Sequence, residues 1–181
     1  MSVARAPSDT VLQAVTTSAP DTRRLGAALA RVLRPGDVVL LCGELGAGKT
    51  TLVQGMAAAL GVEEQVTSPT FTLVRPYACG APRRAQNPTA LRVLLHADLY
   101  RLERSSELAD LALGELVEEE AAAVVEWGEV ADAQLAEQAL RVELSVDDAE
   151  PERREVAVVF PPGRQGDAAE LCAALAGAGS G

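Results

Sequence analysis

One segment of the 181-residue sequence combines closely spaced glycines with a cation and a hydroxyl group. Residues 43–50 read GELGAGKT, in which four residues separate Gly43 from Gly48 and Lys49 and Thr50 follow directly. Glycine lets the chain turn several backbone N–H groups towards one anion, and the lysine ammonium adds a positive charge. The threonine hydroxyl is suited to bind Mg²⁺. The pattern therefore predicts a phosphate-binding Walker A loop.

Lys49 is also the only lysine in the chain, because all other basic residues are arginines. The planar guanidinium of arginine is wider than the compact ammonium that fits between two phosphates inside a tight backbone loop. Arginine thus takes every basic position of the chain except the one at which it cannot replace lysine. This exception favours a functional role for Lys49 over a chance survival.

Two carboxylates follow apolar segments that have the pattern of buried strands. Asp98 lies in HADLYRL and Glu126 lies in VVEWGE. Because the carboxyl ends of parallel strands meet at one edge of a sheet, either acid could complete the shell of a magnesium ion beside the Walker A loop. The alternative is a structural role, such as an ion pair between Asp98 and Arg101. The neighbouring phosphate loop favours the functional interpretation.

Two weaker candidates accompany these acids. Residues 67–70 read TSPT and offer hydroxyl groups where nucleotide-sensing loops reach the γ-phosphate, although such residues are also common in ordinary turns. His96 is the only histidine, and a buried structural role fits it as well as a catalytic one. Neither feature alone decides between these roles.

Apolar periodicity predicts the elements that position these groups. We expect an α/β fold of the P-loop NTPase type: a three-layer sandwich whose mainly parallel sheet has antiparallel edge strands. One domain is predicted over residues 1–181, with flexible ends at about 1–10 and 177–181. Helices are predicted over 22–33, after the glycine loop as far as Gly61, and over 167–176. Strands are predicted over 38–42, 71–74, 91–95 and 121–125, with an edge hairpin of 139–146 and 154–160. An exposed loop (78–90) and a solvated acidic segment (105–120) complete the prediction.

The composition favours a cytoplasmic protein that does not bind RNA by itself. No segment approaches the roughly 20 apolar residues of a membrane-spanning helix, so no membrane partner is expected. A net charge of −10 and an aromatic content of 3% provide neither the positive surface nor the stacking groups that RNA binding requires. Cys42, Cys79 and Cys172 are too far apart in sequence to suggest a zinc site or a disulfide framework.

The four motifs GELGAGKTT, TSPTFTLV, HADLYRL and VVEWGE, in this order, resemble the TsaE family. The resemblance implies an ATPase that uses ATP and Mg²⁺ and acts on the TsaB–TsaD complex, which transfers threonylcarbamoyl to an adenosine of tRNA. The ATPase would meet tRNA only indirectly, through that complex.

The resemblance also implies roles for individual residues. Lys49, Asp98 and Glu126 would be catalytic, and Thr50 and Glu126 would hold the magnesium ion. The turn that begins at Ser18 would approach the adenine. The nucleotide-binding residues would be Ser18, Glu44, Leu45, Gly46, Ala47, Gly48, Lys49, Thr50, Thr51 and Trp127.

Three other functions are alternatives to this one. A GTPase of the usual form needs asparagine followed by lysine to read guanine, but the only asparagine, Asn87, precedes Pro88. A small-molecule kinase stays possible, because Arg83 and Arg84 in the long loop could act as an arginine lid. A non-catalytic module, whose nucleotide state only controls docking, would use the same site residues.

Overall fold

The computed structural model describes residues 2–5, 11–80, 91–100, 120–130, 133–147 and 149–177. Most of the predicted long loop, the acidic segment up to residue 119 and the last four residues lie outside the described residues. The described elements, in chain order, are β1 (Ser2–Arg5), β2 (Val11–Thr16), α1 (Ala19–Leu29), β3 (Val38–Cys42), α2 (Lys49–Ala59), β4 (Val74–Ala78), β5 (Val93–Asp98), β6 (Ala121–Glu126), a 3₁₀ turn (Gly128–Val130), α3 (Ala133–Gln138), β7 (Leu140–Val146), β8 (Arg154–Val159) and α4 (Gln165–Gly177).

The strands form one eight-stranded sheet in the order β1-β2-β8-β7-β3-β6-β5-β4. Its centre, β7-β3-β6-β5, is parallel, and antiparallel strands extend it on both sides. Every residue of β3 and β6 is buried, as expected for central parallel strands covered on both faces. The α/β fold predicted from the sequence is therefore confirmed.

The predicted edge hairpin is formed by β7 and β8, but it does not lie at the sheet edge. Strand β2 pairs with β8, with Leu12 opposite Val158, and β1 pairs with β2 in turn. The sequence analysis assigned no strand before the first helix and so missed both. The alternation of apolar and polar residues in the hairpin shows that one of its faces is buried. It does not show that the outer edge of β8 pairs with β2, which comes from a distant part of the chain.

Two predicted boundaries also shift for local reasons. Helix α1 begins at Ala19, before residue 22, because the Ser18 hydroxyl accepts a hydrogen bond from the backbone N–H of Asp21 and caps the helix. Strand β4 begins only at Val74, because residues 69–73 form a turn. In that turn the N–H of Leu73 donates to the carbonyl of Pro69, and Leu73 has a φ of +62°.

The helices form two layers around the sheet. On one face α1, α2 and α4 cover the larger core, while the 3₁₀ turn and α3 cover a smaller cluster around Leu40, Leu95 and Val125 on the other. Helices α1 and α2 meet backbone to backbone, since a Cβ atom at Gly55 would lie 2.1 Å from the carbonyl oxygen of Arg23. Among the described residues, no helix is both long and apolar enough to cross a membrane.

Candidate functional site

The glycine loop joins β3 to α2 at the carboxyl edge of the parallel strands. Gly43, Gly46 and Gly48 have φ angles of +137°, +83° and +105°, which side chains with a Cβ atom rarely adopt. Helix α2 starts at Lys49 without a side-chain cap, so its first N–H groups are open to an anion. A Cβ atom at Gly43 would lie 2.2 Å from the carbonyl oxygen of Leu144, which shows how closely β7 supports the loop.

The side chain of Lys49 is folded over this loop. Its ammonium donates hydrogen bonds to the carbonyls of Gly43 and Glu44, and it lies 3.8 Å from the ring centroid of Trp127. Burial lowers the pKa of Lys49, and the charges of Glu126, Glu129 and Asp98 oppose that shift. The ammonium is thus held beside the loop by carbonyl oxygens, which phosphate oxygens can replace.

Thr50 and Glu126 form the best candidate for a magnesium site. The Thr50 hydroxyl donates a 2.8 Å hydrogen bond to Oε1 of Glu126, across 76 residues of sequence. A hydroxyl and a carboxylate are oxygen ligands of the kind that Mg²⁺ prefers, so these residues fit the ion. Among the described residues, no cluster of three or more His, Cys, Asp or Glu could hold a metal. Mg²⁺ at this site would need phosphate and water oxygens as well, which is its usual binding mode.

His96 lies in the protein interior and contacts the side chain of Glu126. This histidine is fully buried, and its Nε2 lies 2.9 Å from the Glu126 oxygen that Thr50 contacts. Its Nδ1 is buried without a hydrogen-bond partner among the described residues. The single histidine therefore contacts a candidate metal ligand, a role that the sequence analysis left open.

Asp98 lies opposite Glu126 in the pairing of β5 with β6, but it has different partners. Its Oδ2 accepts hydrogen bonds from the hydroxyls of Ser68 and Thr70, and its Oδ1 accepts one from the N–H of Tyr100. The hydroxyls of the TSPT segment are thus brought to the site and fixed by Asp98. Arg101, the alternative ion-pair partner considered for Asp98, lies outside the described residues.

The segment directly after β6 contacts both Lys49 and the glycine loop. Trp127 has a φ of +62° and packs against Tyr100 with ring centroids 4.9 Å apart. Oε1 of Glu129 accepts a hydrogen bond from the N–H of Gly43. Gly128 allows this close approach, since a Cβ atom there would lie 2.7 Å from that of Leu40. Sequence analysis missed Glu129, although it lies within the VVEWGE motif.

Ser18 is placed near the loop less directly than the other predicted residues. Its hydroxyl caps α1, and Thr22 of the same helix lies 3.7 Å from the position of a Cβ atom at Gly48. Burial opposes ionisation of Asp21, but hydrogen bonds from Thr17 and Arg24 outweigh it and lower the pKa of this acid to about 2. The start of α1 is thus a rigid, charged neighbour of the loop, and a contact of Ser18 with adenine stays a prediction.

The remaining predicted residues lie on the loop or the first turn of α2, and Leu45 is strongly exposed. Arg154, which the sequence analysis did not select, donates from β8 to the carbonyls of Ala47 and Gly46 at 3.1 and 3.4 Å. No local signal could have found it, because the contact spans 107 residues. The structure therefore brings side chains of β5, β6, β8 and α2 to one edge of the sheet.

Comparisons with known proteins identify the family of this chain. The family model "Threonylcarbamoyl adenosine biosynthesis protein TsaE" matches residues 16–156. The tRNA threonylcarbamoyladenosine biosynthesis protein TsaE of Treponema pallidum is 38% identical over 135 residues, covering 75% of this chain and 92% of the relative. The protein of the same name from Streptomyces coelicolor is 43% identical over 139 residues, covering 75% and 88%.

A solved structure is also similar throughout its length. The crystal structure of Bacillus subtilis YdiB aligns with a TM-score of 0.67 and 28% sequence identity, covering 94% of this chain and 97% of that one. The family model, the sequence relatives and the fold thus lead to the same assignment. The chain belongs to the TsaE family of threonylcarbamoyl adenosine biosynthesis proteins.

Proposed function

We propose that this chain binds ATP with Mg²⁺ and hydrolyses it in the biosynthesis of threonylcarbamoyladenosine in tRNA. The observation that carries the ATPase assignment is the contact between Thr50 and Glu126 beside the glycine loop and Lys49. The membership of this chain in the TsaE family supports the link to tRNA modification. The TsaE relatives are named for tRNA threonylcarbamoyladenosine biosynthesis.

Each residue group has a separate task in this proposal. The N–H groups of residues 44–51 and the ammonium of Lys49 bind the β- and γ-phosphates. Thr50 and Glu126 hold the magnesium ion, which offsets phosphate charge when it is bound. Ser68 and Thr70, fixed by Asp98, supply hydrogen-bonding groups for the water that attacks the γ-phosphate. Trp127 lies beside Lys49, so its fluorescence should change when the nucleotide binds.

We also propose that the chain acts through protein contacts, with the TsaB–TsaD complex as its partner in the cytoplasm. A net charge of −10 opposes direct binding to tRNA. Such binding is driven largely by positive side chains that release counterions from the RNA phosphates, and an acidic chain gains little from this effect. Hydrolysis would be slow in the isolated chain and faster in the assembly. Threonylcarbamoyl transfer itself would not take place on this chain.

A phosphate-release assay, run with and without the TsaB–TsaD complex, tests this proposal. Replacing Lys49 with alanine removes the only ammonium available to the phosphates, so nucleotide affinity or turnover should fall roughly tenfold or more. Arg92→Gln is a matched control, since it removes one cation from an exposed ion pair with Glu120. Turnover of Lys49→Ala within twofold of the wild type would contradict the assigned site.

Two further measurements separate the alternatives. Phosphate transfer to an added small molecule, with little release to water, would identify a kinase instead. Nucleotide-dependent capture of TsaB–TsaD without any phosphate release would identify a non-catalytic module. A gel-shift titration at near-physiological salt should show no tRNA binding by the chain alone, and tight, salt-sensitive binding would contradict the charge argument.

A further inference from the structure

Arg154 is the first residue of β8, and the topology places it beside the glycine loop. Strand β8 runs antiparallel to β7, so its first residue lies at the edge where the parallel strands end. Thr16, at the end of β2, and Val146, at the end of β7, are its two neighbours in the sheet. The antiparallel part of the sheet thereby delivers a cation to the phosphate-binding loop.

The guanidinium of Arg154 donates hydrogen bonds to carbonyl oxygens of this loop. Its Nε donates to the carbonyl of Ala47 at 3.1 Å, and one terminal nitrogen lies 3.4 Å from the carbonyl oxygen of Gly46. When a loop turns N–H groups towards an anion, carbonyl oxygens that point away from the anion need other hydrogen-bond donors. The planar guanidinium can reach two such oxygens at once.

The partners of Arg154 distinguish it from the arginine next to it. Arg153 forms salt bridges with Asp147 and Glu155, whereas the hydrogen bonds that Arg154 makes to described residues all go to carbonyl oxygens. Among the described residues, no carboxylate forms a salt bridge with Arg154. Within the part of the chain that the structure describes, its charge is therefore not offset by a direct ion pair, although the whole chain has a net charge of −10.

We propose that Arg154 is a positioning residue for nucleotide binding. It fixes the glycine-rich loop in the phosphate-binding conformation before the nucleotide arrives, and its charge adds to the attraction of the phosphates. Ordering a flexible loop costs free energy at the moment of binding, and a loop that is already ordered avoids that cost. This inference rests on the proposed binding of ATP.

The test uses isothermal titration calorimetry of the full chain with Mg-ATP and Mg-ADP. Arg154→Gln should raise the dissociation constant of both roughly tenfold, as expected for loss of charged hydrogen bonds at a partly exposed position. Arg154→Lys keeps the charge but loses the fork, so its affinity should be intermediate. Arg153→Gln breaks ion pairs in the same turn and should stay within twofold of the wild type.

A second readout separates positioning from general stability. If Arg154 acts on the loop, hydrolysis at saturating ATP should change less than twofold while the KM rises. A purely structural role would lower the melting temperature and the saturated rate together, with unchanged affinity per folded molecule, and would overturn the inference. An equal loss of affinity in Arg153→Gln, or none in Arg154→Gln, would also overturn it. Failure of the wild-type chain to bind Mg-ATP would instead refute the proposed function on which it rests.

Discussion

Asp98 and Glu126 are the same kind of group in nearly the same place, yet they have different surroundings. They lie opposite each other at the ends of β5 and β6, and their exposed fractions are 3% and 4%. Glu126 contacts Thr50 of α2 and His96, whereas Asp98 contacts Ser68 and Thr70 of the segment before β4. The element packed over a strand end therefore decides which task its carboxylate can perform.

The difference follows from the sheet order. Strand β6 lies next to β3, which leads directly into the glycine loop, so the end of β6 faces the first turn of α2. Strand β5 is one position further away and pairs on its other side with β4. Its end therefore faces the segment that enters β4. If the chain binds Mg²⁺ as proposed, we therefore expect the metal at Glu126, whereas Asp98 holds the hydroxyls of Ser68 and Thr70.

The largest expected effect is that of Glu126→Gln. The amide keeps the shape but removes the negative charge beside Thr50, so hydrolysis should fall by about 100-fold or more. Binding of ADP without Mg²⁺ should change less than twofold, which can be measured by calorimetry in the presence of a chelator. Normal hydrolysis by this variant would show that the metal is not held at β6.

A smaller effect is expected for Asp98→Asn. The amide still offers one oxygen to the hydroxyls of residues 67–70 but weakens two charge-assisted hydrogen bonds, so hydrolysis should fall roughly tenfold. The Mg²⁺ concentration that gives half-maximal hydrolysis should stay within twofold of the wild type. If that concentration rises in Asp98→Asn and not in Glu126→Gln, the two acids have the opposite roles.

The smallest effect is expected for Ser68→Ala, which removes one of the hydroxyls that donate hydrogen bonds to Asp98. Hydrolysis should fall about threefold to fivefold, as for the loss of one hydrogen bond. Combined with Asp98→Asn, the effect should be less than the product of the two single effects, because the residues are in contact. Thr72→Ala is the matched control, because among the described residues its hydroxyl contacts only the carbonyl of Pro69, at 3.5 Å. Fully multiplicative effects would show that Asp98 does not act through this segment.

Much of this site could be predicted from the sequence because it depends on local patterns. The glycine spacing of residues 43–50 and the apolar segments before Asp98 and Glu126 each concern a few consecutive residues, and the structure places all of them at one edge of the sheet. Helix α1, by contrast, was predicted three residues too late, because its start depends on the hydroxyl of Ser18.

Only the tertiary structure decided which groups meet. Thr50 reaches Glu126 across 76 residues, and Arg154 reaches Ala47 across 107. The same packing places β7 and β8 inside the sheet and not at its edge. Periodicity shows which face of an element is buried, because burial repeats along the chain with the geometry of that element. The identity of the element that covers this face depends on the packing of the whole chain, and it leaves no periodic trace in the sequence.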